Sequence, residues 1–196
     1  MRGLYIAFAV VVVIAAGSVG VARAREQRGE VYTAATLGSD DNMHITTTNG
    51  RDIVVAKPDD QRSVDTQKSY FEKPVVSNNR RAVGSRVFYP NCCTSYEIPL
   101  TLVVYAEGRT HRFTGSGLPI FLWHFADDGT MVAFGQEPVH FGCSIHYELR
   151  EIRSERLVES VDVPEPCGQD PNPQPVKVPV WVTRLEQAQR DTSIGR

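Results

Sequence analysis

The most distinctive chemistry in this chain belongs to its four cysteines, Cys92, Cys93, Cys143 and Cys167. Two are adjacent, within Tyr89-Pro90-Asn91-Cys92-Cys93-Thr94-Ser95-Tyr96-Glu97-Ile98-Pro99-Leu100. This turn-forming segment is bracketed by prolines and tyrosines and leads into an apolar strand, Leu100 to Tyr105. Adjacent cysteines can bond to each other and close a small strained ring, a rigid apolar platform for a ligand. Strain also makes a disulfide easier to reduce, so redox chemistry is conceivable. The competing arrangement staples this loop to Cys143 or Cys167. Four cysteines admit three connectivities, and sequence alone does not choose among them. The pairing favoured here is Cys92–Cys93 with Cys143–Cys167, and a structural role is ranked above a redox one.

A second group is His140-Phe141-Gly142-Cys143-Ser144-Ile145-His146. Two histidines and a cysteine could bind a soft divalent metal. Strand alternation does not put all three on one face, however, and an oxidised Cys143 could not ligate. No metal site and no cofactor is therefore expected. The remaining alternative is a loop histidine plus a strand histidine paired across a sheet. A third group is aromatic. Phe121, Trp123 and Phe125 alternate along a strand and share one face, with Leu122 and His124 on the other. A sheet core is the expected role. The sharper possibility is a ligand surface of Trp123 and His124 beside the Cys92-Cys93 loop, with Tyr89, Tyr96 and His140 adding to it. Nucleophile, phosphate-loop and dinucleotide motifs are absent. Ser95, His140 and Glu137 could be assembled into a triad only on paper, and Asp127 and Asp128 read as turn formers. No catalytic residue is assigned.

The elements that must hold these residues are mostly strands. The chain has 196 residues, 41% of them hydrophobic and 22% charged, with a formal net charge of −2. That suits one globular domain and offers no basic face for nucleic acid. Prolines, glycines and β-branched residues are plentiful, and long helical patterns are scarce, so the expected class is all-β. Arg2, the apolar run Leu4 to Ala16 and Ala22-Arg23-Ala24 read as a signal peptide over residues 1–24. An uncleaved anchor over Leu4 to Val21 is the alternative. Both place the remainder outside the cytoplasm, secreted or periplasmic, where disulfides form.

Arg25 to Asp41 reads as a flexible lead-in to a single β-rich domain over 42–190. His44 to Thr48, Asn49-Gly50 and Arg51 to Val55 form a predicted hairpin, since both turn residues tolerate positive φ. Lys57 to Lys68 reads as a loop. A strand–turn–strand–loop–strand pair then occurs twice, at about 70–114 and 118–163, near the period of propeller blades. The first copy turns at Asn78 to Arg81 and at Ala106-Glu107-Gly108. The second turns at Asp127-Asp128-Gly129 and at Arg153-Ser154-Glu155. Residues 164–196 read as a proline-rich segment and a tail, with a short helix over Thr183 to Arg190 that docks Trp181 and Leu185.

The strings around Asp127-Asp128-Gly129, Met131 to Phe134, His146 to Ile152 and Arg156 to Val161 resemble the repeats of secreted, WD40-like β-propellers. From Val83 through Val161, and above all at Tyr89 to Leu100, the chain more closely resembles a family of secreted bacterial proteins of unassigned activity. That resemblance implies an envelope or secreted setting and no reaction. Glu155 departs from the Thr-Gly more common at that turn. Two or three blades cannot close a propeller. Open edges are thus expected, covered by the N-terminal hairpin and the tail or paired in a homodimer. The expected function is a non-catalytic binding or envelope-associated interaction module for a protein or small ligand. The alternative is a redox- or metal-handling protein using Cys92-Cys93.

Overall fold

The computed structural model describes residues 29–58, 69–90, 96–139, 142–166 and 174–194, with side chains through residue 191. Its twelve strands form three antiparallel sheets, followed by one helix. The first sheet is β1 (Tyr32–Leu37), β2 (Met43–Thr47) and β3 (Asp52–Val55). The second contains β4 (Tyr70–Phe71), β5 (Val75–Val76), β6 (Ala82–Tyr89), β7 (Ile98–Ala106) and β8 (Arg109–Phe113). Its order is β4-β6-β7-β8, with β5 also paired to β6. The third is a meander of β9 (Ile120–Ala126), β10 (Met131–Gln136), β11 (Ser144–Glu151) and β12 (Leu157–Pro164). The helix, α1, is Val180–Ile194.

Side-chain alternation stacks these layers face to face. On β6 and β7, Ala82, Leu102, Val104 and Ala106 meet Ile120, Phe125, Val132 and Phe134 of the third sheet. The intervening Val83, Val87 and Val103 meet Tyr32, Met43, Ile45 and Val55 of the first. The second sheet is thus buried on both faces, which is why β7 reads as an almost unbroken apolar run. Each fully buried Leu or Val there contributes about 1.5–3 kcal/mol. The outer face of the third sheet carries Ala133, Tyr147 and Leu149, and α1 covers it with Val182 and Leu185. No sheet closes on itself, so the whole is an incomplete propeller-like stack.

Four local features depart from the sequence expectations. Residues 32–37 are a strand, not flexible lead-in, and Tyr32 is fully buried. The pattern is masked because a bulge between Tyr32 and Ala34 breaks the alternation. At Asn49-Gly50 only Gly50 has positive φ, 77°. The amide of Gly50 donates to the carbonyl of Thr47, and the Thr47 amide to that of Arg51. This is a three-residue loop closed by a left-handed glycine, and not a two-residue turn. On β9 the register shifts opposite Gly135 and Gln136, so Ile120 joins the core with Trp123 and Phe125, and Phe121 does not share their alternation. Finally, the helix is longer than expected. It starts behind Pro179, whose carbonyl accepts the amides of Val182 and Thr183. The hairpin and tail cover sheet faces and not edges, because the faces carry the apolar side chains. No helix among the described residues is long and apolar enough to cross a membrane.

Candidate functional site

The residues expected to share one surface fall into different layers. Tyr89 packs on the first-sheet side of the second sheet, and its hydroxyl lies 3.1 Å from Thr101 Oγ1. Trp123 lies between the second and third sheets, edge-on to Phe125 at 5.2 Å. Trp123 is partly buried and packs against the core between these sheets. His124, the next residue along β9, points the other way, toward α1. Tyr96 is exposed. Cys92, Cys93, Ser95, His140 and Cys167 lie outside the described residues. Cys143 is disulfide-bonded to a cysteine outside them. The β11–β12 ladder extends to Cys143, whose carbonyl accepts the amide of Glu165. Cys167, its expected partner, lies outside the described residues. His146 is held by Asp162 at 2.7 Å, its partner across the sheet, and by Glu148 at 3.2 Å. Among the described residues no three His, Cys, Asp or Glu side chains are grouped to hold a metal ion.

Two concave regions stand out among the described residues. The larger, about 1190 Å³, is an open cleft where turns of the second and third sheets meet the segment leading into β1. Many of its polar groups are engaged, but the buried Nε2 of His111 has no hydrogen-bond partner among the described residues. Arg51 pairs with Glu30 at 2.5 Å, Arg153 with Glu107 at 3.6 Å, and Arg81 donates to the Gly29 carbonyl. His111, 1% exposed, has Nδ1 3.1 Å from Glu155 Oε1. Burial holds its pKa below the ordinary histidine value, against the opposing pull of Glu155. These are the internal ties of a structural joint.

The smaller pocket, about 370 Å³, lies between α1 and one end of the third sheet. Its floor is Ala133, Leu149 and Leu185, and Trp181 forms a wall. The indole is fixed by donating from Nε1 to Glu159 Oε2 at 2.8 Å and by meeting the Tyr147 ring edge-on at 6.5 Å. The Tyr147 hydroxyl in turn donates to Glu186 on the helix at 2.8 Å. Four polar side chains line the pocket: His124, Asp127, Asp128 and Arg184. Among the described residues none of these four side chains makes a hydrogen bond or ion pair. Burial lowers the His124 pKa, which keeps the ring neutral near pH 7. The two aspartates sit in a turn with φ of 46° and 54°, followed by Gly129 at 86°. Two consecutive non-glycine residues in the left-handed region are costly, and such strain collects at functional sites.

The arrangement sets a histidine, two carboxylates and a guanidinium beside apolar side chains. An apolar floor with a few convergent polar groups suits a small ligand. The lining holds no hydroxyl or thiol nucleophile beside His124. Arg184 was not singled out from the sequence. The signal was present, since Trp181, Arg184 and Leu185 stand at i, i+3 and i+4 and share one helix face.

No family model and no curated protein matches the chain.

Proposed function

We propose that the protein is a non-catalytic binding module, working outside the cytoplasm in the envelope or beyond it, with its ligand site in the pocket beneath α1. The observation that carries this is the contrast between the two concave regions. The large cleft spends its charges on internal pairs, whereas His124, Asp127, Asp128 and Arg184 leave theirs open around an apolar floor. The extracytoplasmic setting rests on the segment ending at Ala24 and on the cysteines. Cys92 and Cys93 lie outside the described residues, so no geometry favours the redox or metal alternative.

The test is protein-observed NMR on the 15N-labelled chain with a library of small polar fragments. Ligands of this pocket shift the Trp181 indole resonance, and Arg184→Gln or Asp128→Asn abolishes the shift for fragments of the matching charge. Both residues are exposed, so neither change threatens the fold. A library that leaves Trp181 unmoved while it perturbs the turns around His111 would move the site to the large cleft and end this assignment.

A further inference from the structure

Two turns in this molecule share one hydrogen-bond pattern and differ at a decisive position. In the turn between β2 and β3, the Thr47 hydroxyl donates to Asn49 Oδ1 at 2.5 Å. The Arg51 amide reaches Thr47 Oγ1 at 3.0 Å and Asn49 Oδ1 at 3.3 Å, and the Gly50 amide donates to the Thr47 carbonyl at 3.0 Å. In the turn between β5 and β6, the Ser77 hydroxyl donates to Asn79 Oδ1 at 2.8 Å. The Arg81 amide reaches Ser77 Oγ at 3.2 Å and Asn79 Oδ1 at 2.8 Å, and the Arg80 amide donates to the Ser77 carbonyl at 2.8 Å. Gly50 and Arg80 both have left-handed φ, 77° and 58°. The asparagine is held alike in both turns, but the residue after it is glycine in one and arginine in the other.

That residue governs a reaction that asparagine undergoes with water alone. The amide nitrogen of the following residue attacks the asparagine Cγ, and a side chain on that residue crowds the five-membered ring that forms. Glycine has none. A Cβ built on Gly50 would meet nothing within 4 Å, so the space beside its backbone is open. Asn49 and Gly50 are both exposed, so water and hydroxide reach them. The two donors on Oδ1 polarise the Asn49 Cγ–Oδ1 bond and stay in place as negative charge grows on that oxygen. Nδ2, the leaving group, makes no hydrogen bond among the described residues. The bond from the Gly50 amide to the Thr47 carbonyl opposes the step, and at an exposed turn it is a modest restraint.

We propose that Asn49 is a site of self-modification, at which the backbone of Gly50 converts the asparagine to aspartate and isoaspartate. Hydroxide removes the Gly50 amide proton. The nitrogen electron pair forms a bond to Asn49 Cγ, the Cγ–Nδ2 bond breaks, and Nδ2 takes a proton from water and leaves as ammonia. Water then adds to the cyclic imide. Opening at Cγ restores the original main chain and gives aspartate. Opening at the backbone carbonyl carbon gives isoaspartate, whose main chain runs through Cβ and Cγ. Aspartate keeps an oxygen acceptor for Thr47 and Arg51. Isoaspartate lengthens the loop and opens the turn that sets Thr46 opposite Asp52 in the β2–β3 ladder.

Peptide mapping of the full chain, incubated at neutral and at mildly alkaline pH, tests this. Asn49 is expected to convert about tenfold faster than Asn79 and to give both products. Its rate rises with pH, because the attacking amide must lose its proton. Asn79 is less exposed than Asn49, so two exchanges isolate the effect of the following residue. Gly50→Arg copies the second turn and is expected to slow Asn49 about tenfold. Arg80→Gly is expected to speed Asn79, and it relieves a left-handed arginine, so it remains informative if Gly50→Arg folds poorly. Equal rates at Asn49 and Asn79 overturn the proposal. So does conversion to aspartate with no isoaspartate, which marks direct hydrolysis without the ring. Rates left unchanged by both exchanges overturn it as well.

Discussion

The Trp123 ring occupies the space that a side chain on Gly84 would need. A Cβ built on Gly84 would lie 2.6 Å from Trp123 Cη2 and 2.8 Å from Cζ3, with Phe125 Cζ at 3.1 Å. Gly84 lies inside β6, and its φ is not in the left-handed region, so close approach, and not backbone freedom, requires it. The glycine lets the edge-to-face pair of Trp123 and Phe125 press against the second sheet.

Gly84→Ala is therefore expected to destabilise the fold. Alanine gains roughly 0.5–1 kcal/mol of backbone entropy in a strand interior. Displacing the ring costs roughly 1–3 kcal/mol, because Trp123 packs against the core edge-on to Phe125 and would lose those contacts. The expected outcome is a lower urea midpoint at an unchanged slope. A variant as stable as the parent would mean that the sheets are less tightly packed than described.

A buried amide makes a second prediction. Gln136 is fully buried at the end of β10. Its Nε2 donates to the carbonyls of Thr114 and Leu118 at 3.1 and 2.6 Å, and its Oε1 accepts from the amide and hydroxyl of Ser116. One side chain thereby replaces the missing strand pairing of the loop between β8 and β9. Gln136→Leu keeps the volume and removes every bond. It is expected to cost about 1–3 kcal/mol, since the loop groups regain some water. Faster hydrogen exchange at Ser116, with exchange on β6 and β7 unchanged, is the specific readout.

How much of this was legible in the sequence depends on whether local pattern and tertiary contact agree. The hairpin at Asn49-Gly50 and the turn at Asp127 to Gly129 announce themselves, because turn residues act through their own backbone. Trp181 and Leu185 announced a docking helix by spacing. Bulges hid the rest. The one in β1 disguised a strand, and the one in β9 moved Phe121 out of the core alternation. His111 lies in Arg109-Thr110-His111-Arg112, which looks like an exposed polar strand. Its burial comes from the third sheet packed against it, a contact distant in sequence. Gln136 and Gly84 are silent for the same reason. The pocket was half visible, in His124, but its other members come from a turn and a helix whose meeting no local pattern specifies.

The two histidines with opposed pKa shifts give a prediction about pH. His111 is pushed below its ordinary value of 6.5, first by burial and also by Arg109, against Glu155 and Glu107. A folded-state pKa below the unfolded one means that the unfolded chain binds the proton more readily. The contribution of His111 is thus complete above about pH 6.5 and is lost as pH falls through that value toward the lower folded pKa. His44 behaves oppositely. Asp52 at 2.9 Å and Asp40 at 3.2 Å hold its two ring nitrogens and raise its pKa. Its contribution is present below about pH 6.5 and is lost as pH rises through the raised folded pKa. His44 is partly exposed and its carboxylate partners are exposed, so its pairs are screened and His111 is expected to dominate. Stability measured by urea unfolding from about pH 8 to about pH 5 should therefore fall on the acid side. His111→Gln should flatten that acid limb, and His44→Gln should steepen it while leaving the alkaline side flatter. An acid limb that survives His111→Gln unchanged would assign the loss to other groups, with His124, whose pKa burial also lowers, the first to test.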